Sequence, residues 1–373
     1  MIEYRHSFPE ERETVIATAN RVFGDAGADI NFETAIPKVY GAEQETSDLQ
    51  YIAVDENRKI HALIARLPNR IHVGAEILKC GCIGTVSVIP ESRGRGHMKE
   101  LMRLWEQEMR AEGTDLAILG GQRQRYQYFG YVPGAPQYTF TISWRGVKHA
   151  LKDMDIRGAS FHAMEANTGE ESRAKALQES LPYRMERPLF VCWCRSYRYQ
   201  PWVFLKDGIF AGYAVSDAER KNIAEIHPEA PGDLDLMLKT WMEETQLKEA
   251  ELTVPAWDDA AVRRLADWAE DMSLAPAAKL RIFNWKHVTE VMLKLKSSFQ
   301  PLSDGEAGFS VEGQTFTVCV RDNRVTVTDG ADQPRRLDVL EAGKLFLTPF
   351  PAGSGVPGSW FPLPFSIQRP DEF

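Results

Sequence analysis

Residues Gly84 to Met109 constrain the fold of this chain more than any other stretch. They read as a β-strand, a basic glycine-rich turn and an amphipathic helix. The strand Gly84-Thr85-Val86-Ser87-Val88-Ile89 is closed by Pro90, and the turn is Arg93-Gly94-Arg95-Gly96. The helix then sets Met98, Leu101, Met102, Trp105 and Met109 on one face, at helical spacing. A turn that opens a helix presents backbone N–H groups with no partner inside the helix. The helix dipole adds partial positive charge there, and two arginines supply forked, fully charged donors. The stretch therefore predicts a site for a phosphate or pyrophosphate.

The ligand class can be narrowed. The pattern is not G-x-x-x-x-G-K-S/T, which excludes a nucleoside triphosphatase loop. Nor is it G-x-G-x-x-G with an acidic ribose-binding position some 20 residues on. The spacing Arg93-x-x-Gly96-x-Met98, preceded by Val86-Ser87-Val88, resembles motif A of the GNAT N-acetyltransferases, Q/R-x-x-G-x-G/A. That motif cradles the pyrophosphate of acetyl-CoA. Met98 stands where the motif usually has a small residue, so helix and ligand approach less closely at that point.

Composition removes other classes. The net charge of −9 argues against general nucleic-acid binding and against an anionic membrane surface. No apolar run approaches membrane-spanning length, and the opening Met1-Ile2-Glu3-Tyr4-Arg5-His6 lacks a signal-peptide pattern. Five cysteines, an odd number, point to a reducing cytoplasm. Cys80/Cys82 and Cys192/Cys194 form C-x-C pairs in apolar, β-like stretches. They are expected to pack as small hydrophobes and to hold no metal.

The chain is expected to be α/β (α+β) in class. Residues 1–148 follow a β-α-β-β-β-α-β-α-β order, with a helix at Glu10 to Val22, a hairpin around Glu56-Asn57-Arg58 and a closing strand at Gln137 to Ser143. Residues 149–282 echo that order, with a hairpin across Asp207-Gly208, a helix at Asp233 to Gln246 and another at Asp258 to Met272. In this second copy the loop before the helix is Pro228-Glu229-Ala230-Pro231-Gly232-Asp233. It is acidic and has no arginine, so it should repel a pyrophosphate. Residues 283–373 form a third unit, with a helix near Lys286 to Lys296, strands turned at Asp322-Asn323 and a short helix at Leu337 to Glu341. The stretch Pro349 to Phe373 is rich in proline and carries Trp360 and several phenylalanines. It is expected to lie ordered against the body of the protein.

The motif-A loop, the cluster Tyr126-Gln127-Tyr128-Phe129-Gly130-Tyr131 and the ending Asp371-Glu372-Phe373 together resemble the enhanced intracellular survival (Eis) branch of the GNAT acetyltransferases. The resemblance spans the chain. It implies an active GNAT domain, a degenerate second GNAT fold and a C-terminal domain similar to sterol carrier proteins. It also implies acetyl transfer from acetyl-CoA to an amine, with an aminoglycoside, a polyamine or a lysine side chain as acceptor, in a homo-oligomer (trimer or hexamer). By the same resemblance Tyr126 is the general acid and the terminal carboxylate of Phe373 serves the active site as base. The segment Val86, Ser87, Val88 pairs with pantetheine, and the amides of Arg93, Gly94, Arg95, Gly96, His97 and Met98 hold the pyrophosphate. The chain departs from the expected pattern at Gly120-Gly121-Gln122, where proline or serine is usual.

Chemistry supports the first role more readily than the second. A thiol has a pKa of roughly 8.5 and tyrosine about 10, so Tyr126 can protonate a leaving thiolate over a short hydrogen bond. A terminal carboxylate, with a reference pKa of about 3.5, is too weak to deprotonate an alkylammonium directly. It is better suited to anchor the ammonium and pass its proton through water. A competing class is a CoA- or lipid-binding module without turnover.

Overall fold

The computed structural model describes residues 1–373 except 29, 43 and 350–354. It is a mixed α/β protein that divides into two compact units. The first comprises Met1–Gly134, Ala278–Phe365 and Glu372–Phe373; the second comprises Ala135–Ala277 and Ser366–Asp371.

In the first unit the strands Ile2–His6, Gln50–Asp55, Ile60–Val73 and Glu76–Val88 run antiparallel in succession. Glu76–Val88 then pairs in parallel with Leu116–Leu119. Between these parallel strands lies the crossover helix His97–Ala111. Its buried Leu101, Met102, Trp105 and Met109 pack on Ala53, Ala62, Ile64 and Ile83 of the sheet, as the spacing predicts. Trp105 also donates from Nε1 to the Ile64 carbonyl at 2.9 Å, which satisfies its one polar atom in the core.

The last strand of this sheet differs from the sequence reading. Gln137 to Ser143 does not close the N-terminal fold; those residues pair with Glu249–Pro255 in the second unit. The strand beside Leu116–Leu119 is Lys279–Ile282, from much later in the chain. The helix expected over Asp258 to Met272 stops at Ala266, and Asp271–Ile282 is a strand. Alternation identifies a strand but carries no information about its distant partner.

The remainder of the first unit is a four-stranded sheet of Gly305–Val311, Gln314–Arg321, Arg324–Asp329 and Arg335–Leu337, with helices Trp285–Phe299 and Val339–Leu347. Trp285, Phe309, Phe316, Phe346 and Phe361 form its aromatic core. The aromatic C-terminal stretch is ordered where it is described: Trp360, Leu363 and Phe365 are fully buried. Residues 350–354 of that stretch lie outside the described residues.

The second unit repeats the plan. Ala159–Ala163, Tyr199–Lys206, Ile209–Asp217 and Asn222–Pro228 run antiparallel, and a parallel pairing with Glu249–Pro255 follows. Helix Leu234–Thr245 buries Leu236, Met237, Leu238, Trp241 and Met242. Cys192 and Cys194 lie on a short helix, Phe190–Cys194, and not on a strand as their apolar context suggests. Among the described residues no helix is long and apolar enough to cross a membrane.

Candidate active site

The strand that carries Val86 and Val88 is open on one edge. Its parallel pairing with Leu116–Leu119 runs only from Cys80 to Ile83. On the other edge its register against Ile60–Val73 shifts between Leu63 and Ala65, opposite Thr85. Thr85 takes up the extra residue with φ 51°, a left-handed conformation that a β-branched residue adopts only when held there. The hold is visible. Tyr40 donates its hydroxyl to Thr85 Oγ1 at 2.7 Å, and Gln50 donates to the Tyr40 hydroxyl at 3.1 Å, all of them buried. The bulge turns Gly84–Val88 away from the parallel neighbour and leaves an edge to which an extended ligand can add.

Beyond Pro90 the chain makes one 3-10 turn, Pro90–Ser92, and reaches the loop. Gly94 and Gly96 have φ of 76° and 85°, which explains glycine at both positions. Gly96 is the N-cap of His97–Ala111 and offers no side-chain cap. Among the described residues, no acceptor meets the N–H groups of Gly94, Arg95, Gly96, His97 and Met98. Four of these residues, Gly94, Gly96, His97 and Met98, line a cavity of about 550 Å³ together with Val86, Val88, Ser92 and Arg93 among others. A run of unpartnered N–H groups at a helix N-terminus, beside an arginine, fits a diphosphate. The apolar wall of Val22, Phe23 and Ala26, from the end of helix Arg12–Asp25, completes the cleft.

Not every motif residue faces this cavity. Ser87 points to the other face of its strand, is fully buried, and donates to the Thr85 carbonyl at 3.2 Å. Arg95 is exposed and does not line the cavity, whereas Arg93 does. Arg125 also lines it, although the motif spacing does not single that residue out. Its signal was its place next to the motif tyrosine.

The three tyrosines of the cluster occupy different environments. Tyr128 is 67% exposed, with the Lys99 ammonium over its ring at 5.2 Å. Tyr131 is buried in the core, where loss of water drives its pKa far up. Tyr126, on the short helix Arg123–Gln127, is 6% exposed. Burial raises its hydroxyl above the ordinary value, and the neighbouring Arg125 guanidinium only partly opposes this. Of the two unexpected glycines of this turn, Gly121 has a structural reason. It has φ 86°, and a Cβ there would come within 2.8 Å of the Tyr126 ring.

The C-terminal residue reaches the same strand. Phe373 is buried and packs against Gly84, with its ring 6.4 Å from that of Tyr40. Lys38 donates from Nζ to the Glu372 carbonyl at 2.5 Å. Lys38 and Tyr40 belong to a short helix, Pro37–Tyr40, in a stretch that reads as loop from sequence. Tyr126 and Phe373 both lie outside the cavity lining, although they belong to the same unit as the cleft.

Comparison with known proteins bears on the domain and the fold. Residues 3–134 match the family described as acetyltransferase (GNAT) domain. No curated protein matches the chain. Among solved structures, a GCN5-related N-acetyltransferase from Anabaena variabilis ATCC 29413 is similar at 14% identity and a TM-score of 0.67, covering 94% of this chain and 91% of that one. A probable N-acyltransferase from Enterococcus faecalis V583 is similar at 13% identity and 0.66, covering 93% and 90%. Eis1 from Mycobacterium abscessus is similar at 14% identity and 0.62, covering 93% and 89%. At these identities the likeness is one of fold. Residues 3–134 form a GNAT acetyltransferase domain, and the chain is an acyltransferase whose co-substrate is acetyl-CoA.

Proposed function

We propose that this chain transfers the acetyl group of acetyl-CoA to the nitrogen of an amine, with an Eis-like organisation. Met1–Gly134, closed by Lys279–Ile282, are the catalytic GNAT domain, Ala135–Ala277 a degenerate second copy, and residues 283–365 the sterol-carrier-like domain. The observation that carries the reading is the junction of the open strand edge at Val86 and Val88 with the unpartnered amides of Gly94 to Met98 in one cleft. Fold likeness to Eis1 along nearly the whole chain supports the organisation. In the second copy, Glu229 and Asp233 place acidic groups in the corresponding loop, where they pair with Arg173 and Lys206. That supports a copy without a diphosphate site.

When bound, acetyl-CoA supplies an activated acyl carbon and a sulfur leaving group. The amides of Gly94 to Met98, with Arg93, hold the diphosphate, and Val86 and Val88 align the pantetheine arm. The Val88 N–H stabilises negative charge that develops on the acyl oxygen. Tyr126 keeps its proton, because burial raises its pKa, and delivers it to the sulfur. The Phe373 carboxylate anchors the incoming ammonium and passes its proton to water.

A titration of CoA by calorimetry, paired with a thiol-release assay over aminoglycosides, polyamines and a lysine peptide, tests this. Binding with release for at least one amine is expected. Binding without release for any of them would favour a CoA- or lipid-binding module.

A further inference from the structure

Two imidazoles lie directly behind the diphosphate loop. His97, the first residue of the helix, is 5% exposed. Its Nδ1 is 2.8 Å from the Tyr4 hydroxyl, and its Nε2 is buried with no hydrogen-bond partner among the described residues. His61 lies 5.9 Å away, ring to ring, and is held at both ends: Nε2 is 3.0 Å from Asp55 Oδ2 and Nδ1 is 2.7 Å from Ser92 Oγ. Ser92 and His97 both line the cavity.

Hydrogen bonding sets the protonation states. The Asp55 carboxylate accepts from His61 Nε2–H, so in neutral His61 the Nδ1 accepts the Ser92 hydroxyl proton. His61 is committed at both nitrogens. His97 is not, because its Nε2 can carry a proton or lack one without breaking a hydrogen bond.

We propose that His97 is a positioning residue for the co-substrate and takes up a proton when a diphosphate settles on the loop. The inference rests on the diphosphate reading above. The N–H of His97 is itself one of the unpartnered donors, so negative charge comes to rest beside its own imidazole. Without ligand the surroundings disfavour the imidazolium: burial, then His61 and the Arg95 guanidinium, hold its pKa below the ordinary value. Tyr4 on the first strand is hydrogen-bonded to it, Glu100 acts on that tyrosine, and His61 carries Ser92 and Asp55 on its two nitrogens. Arg93 and Arg125 face the same cavity. Glu91 is exposed and paired with Arg21. None of these supplies a close negative charge to His97, whereas the diphosphate does. Proton uptake on binding follows by linkage.

The test is calorimetric titration of CoA into wild type, His97→Asn and Tyr4→Phe, from pH 6 to 8, in buffers of different ionisation enthalpy. Asparagine can keep a hydrogen bond to Tyr4, and the ligand's own phosphate titration is common to all three proteins. For wild type, Kd should rise with pH by about tenfold more than for His97→Asn, with a correspondingly larger proton uptake near pH 7. Tyr4→Phe, which keeps the imidazole but removes an acceptor for its Nδ1–H, should fall between them. Equal pH slopes and equal proton counts in wild type and His97→Asn would overturn the proposal while leaving CoA binding intact. No CoA binding to wild type at any pH would overturn the diphosphate reading with it.

Discussion

Phe373 occupies the space that a side chain on Gly84 would need. A Cβ built on Gly84 comes within 2.7 Å of the Phe373 carboxyl carbon and 2.8 Å of its Cγ. Gly84 is next to the left-handed Thr85 and two residues from Val86, on the edge proposed to receive pantetheine. The chain terminus is thus registered against the strand that would hold the thioester.

Gly84→Ala is expected to push the terminal carboxylate out of position. Turnover should fall about 10- to 100-fold, the usual cost of misplacing a reacting group by an ångström or so. CoA affinity should stay within about twofold, because the diphosphate loop is untouched. Steady-state kinetics with a parallel CoA titration check this.

Deleting Glu372-Phe373 should lower kcat far more than it weakens CoA binding. The deletion also removes the carbonyl that Lys38 contacts. Transfer rates at the wild-type level would remove the terminus from the mechanism.

Tyr126→Phe should lower kcat by roughly tenfold or more, as expected for a lost general acid. Because burial raises its pKa above 10.0, Tyr126 stays protonated through the neutral range. It should therefore produce no alkaline fall in kcat below about pH 10. If Tyr128→Phe alone lowers kcat, the role moves to that exposed residue.

Arg187, buried in the second unit, holds two carboxylates at once. Its guanidinium lies 2.6 Å from Glu225 and 2.8 Å from Asp371. Burial alone would raise the Glu225 pKa, but Arg187 and His227 outweigh it and leave the carboxyl at about 2. A folded-state pKa below the unfolded value stabilises the fold above about pH 4.5, and that stability is lost as pH falls toward 2. Arg187→Met leaves both carboxylates buried without their cation and should cost about 3–5 kcal/mol. The sign should also reverse, so that the variant loses stability as pH rises through 4 to 7. Thermal melts from pH 3 to 7 check both statements.

The strand, loop and helix around Arg93 were legible because each depends on neighbouring residues: alternation, glycines with positive φ, and apolar spacing. The placement of Lys279–Ile282 beside Leu116–Leu119 was not, because no local pattern records a partner so distant in sequence. The helices Phe32–Ala35 and Pro37–Tyr40 are too short to show a period. Their signals were the capping Asn31, whose side chain accepts from Glu33 and Thr34 N–H, and Pro37 at a first helical position. From sequence, acceptor specificity is expected in the loops between about Gly27 and Thr46 and around Gln122 to Arg125; residues 29 and 43 lie outside the described residues. The role of Gly121 emerged only from the packing of Tyr126 against it.

Acetyl transfer by this chain depends on a diphosphate resting on the amides that follow Ile89. A crystal structure of the protein soaked with CoA tests it most directly. Diphosphate oxygens should lie about 3 Å from the N–H groups of Gly94 to Met98, with the pantetheine arm along Val86 and Val88. CoA bound elsewhere, with those nitrogens facing only solvent, would contradict it.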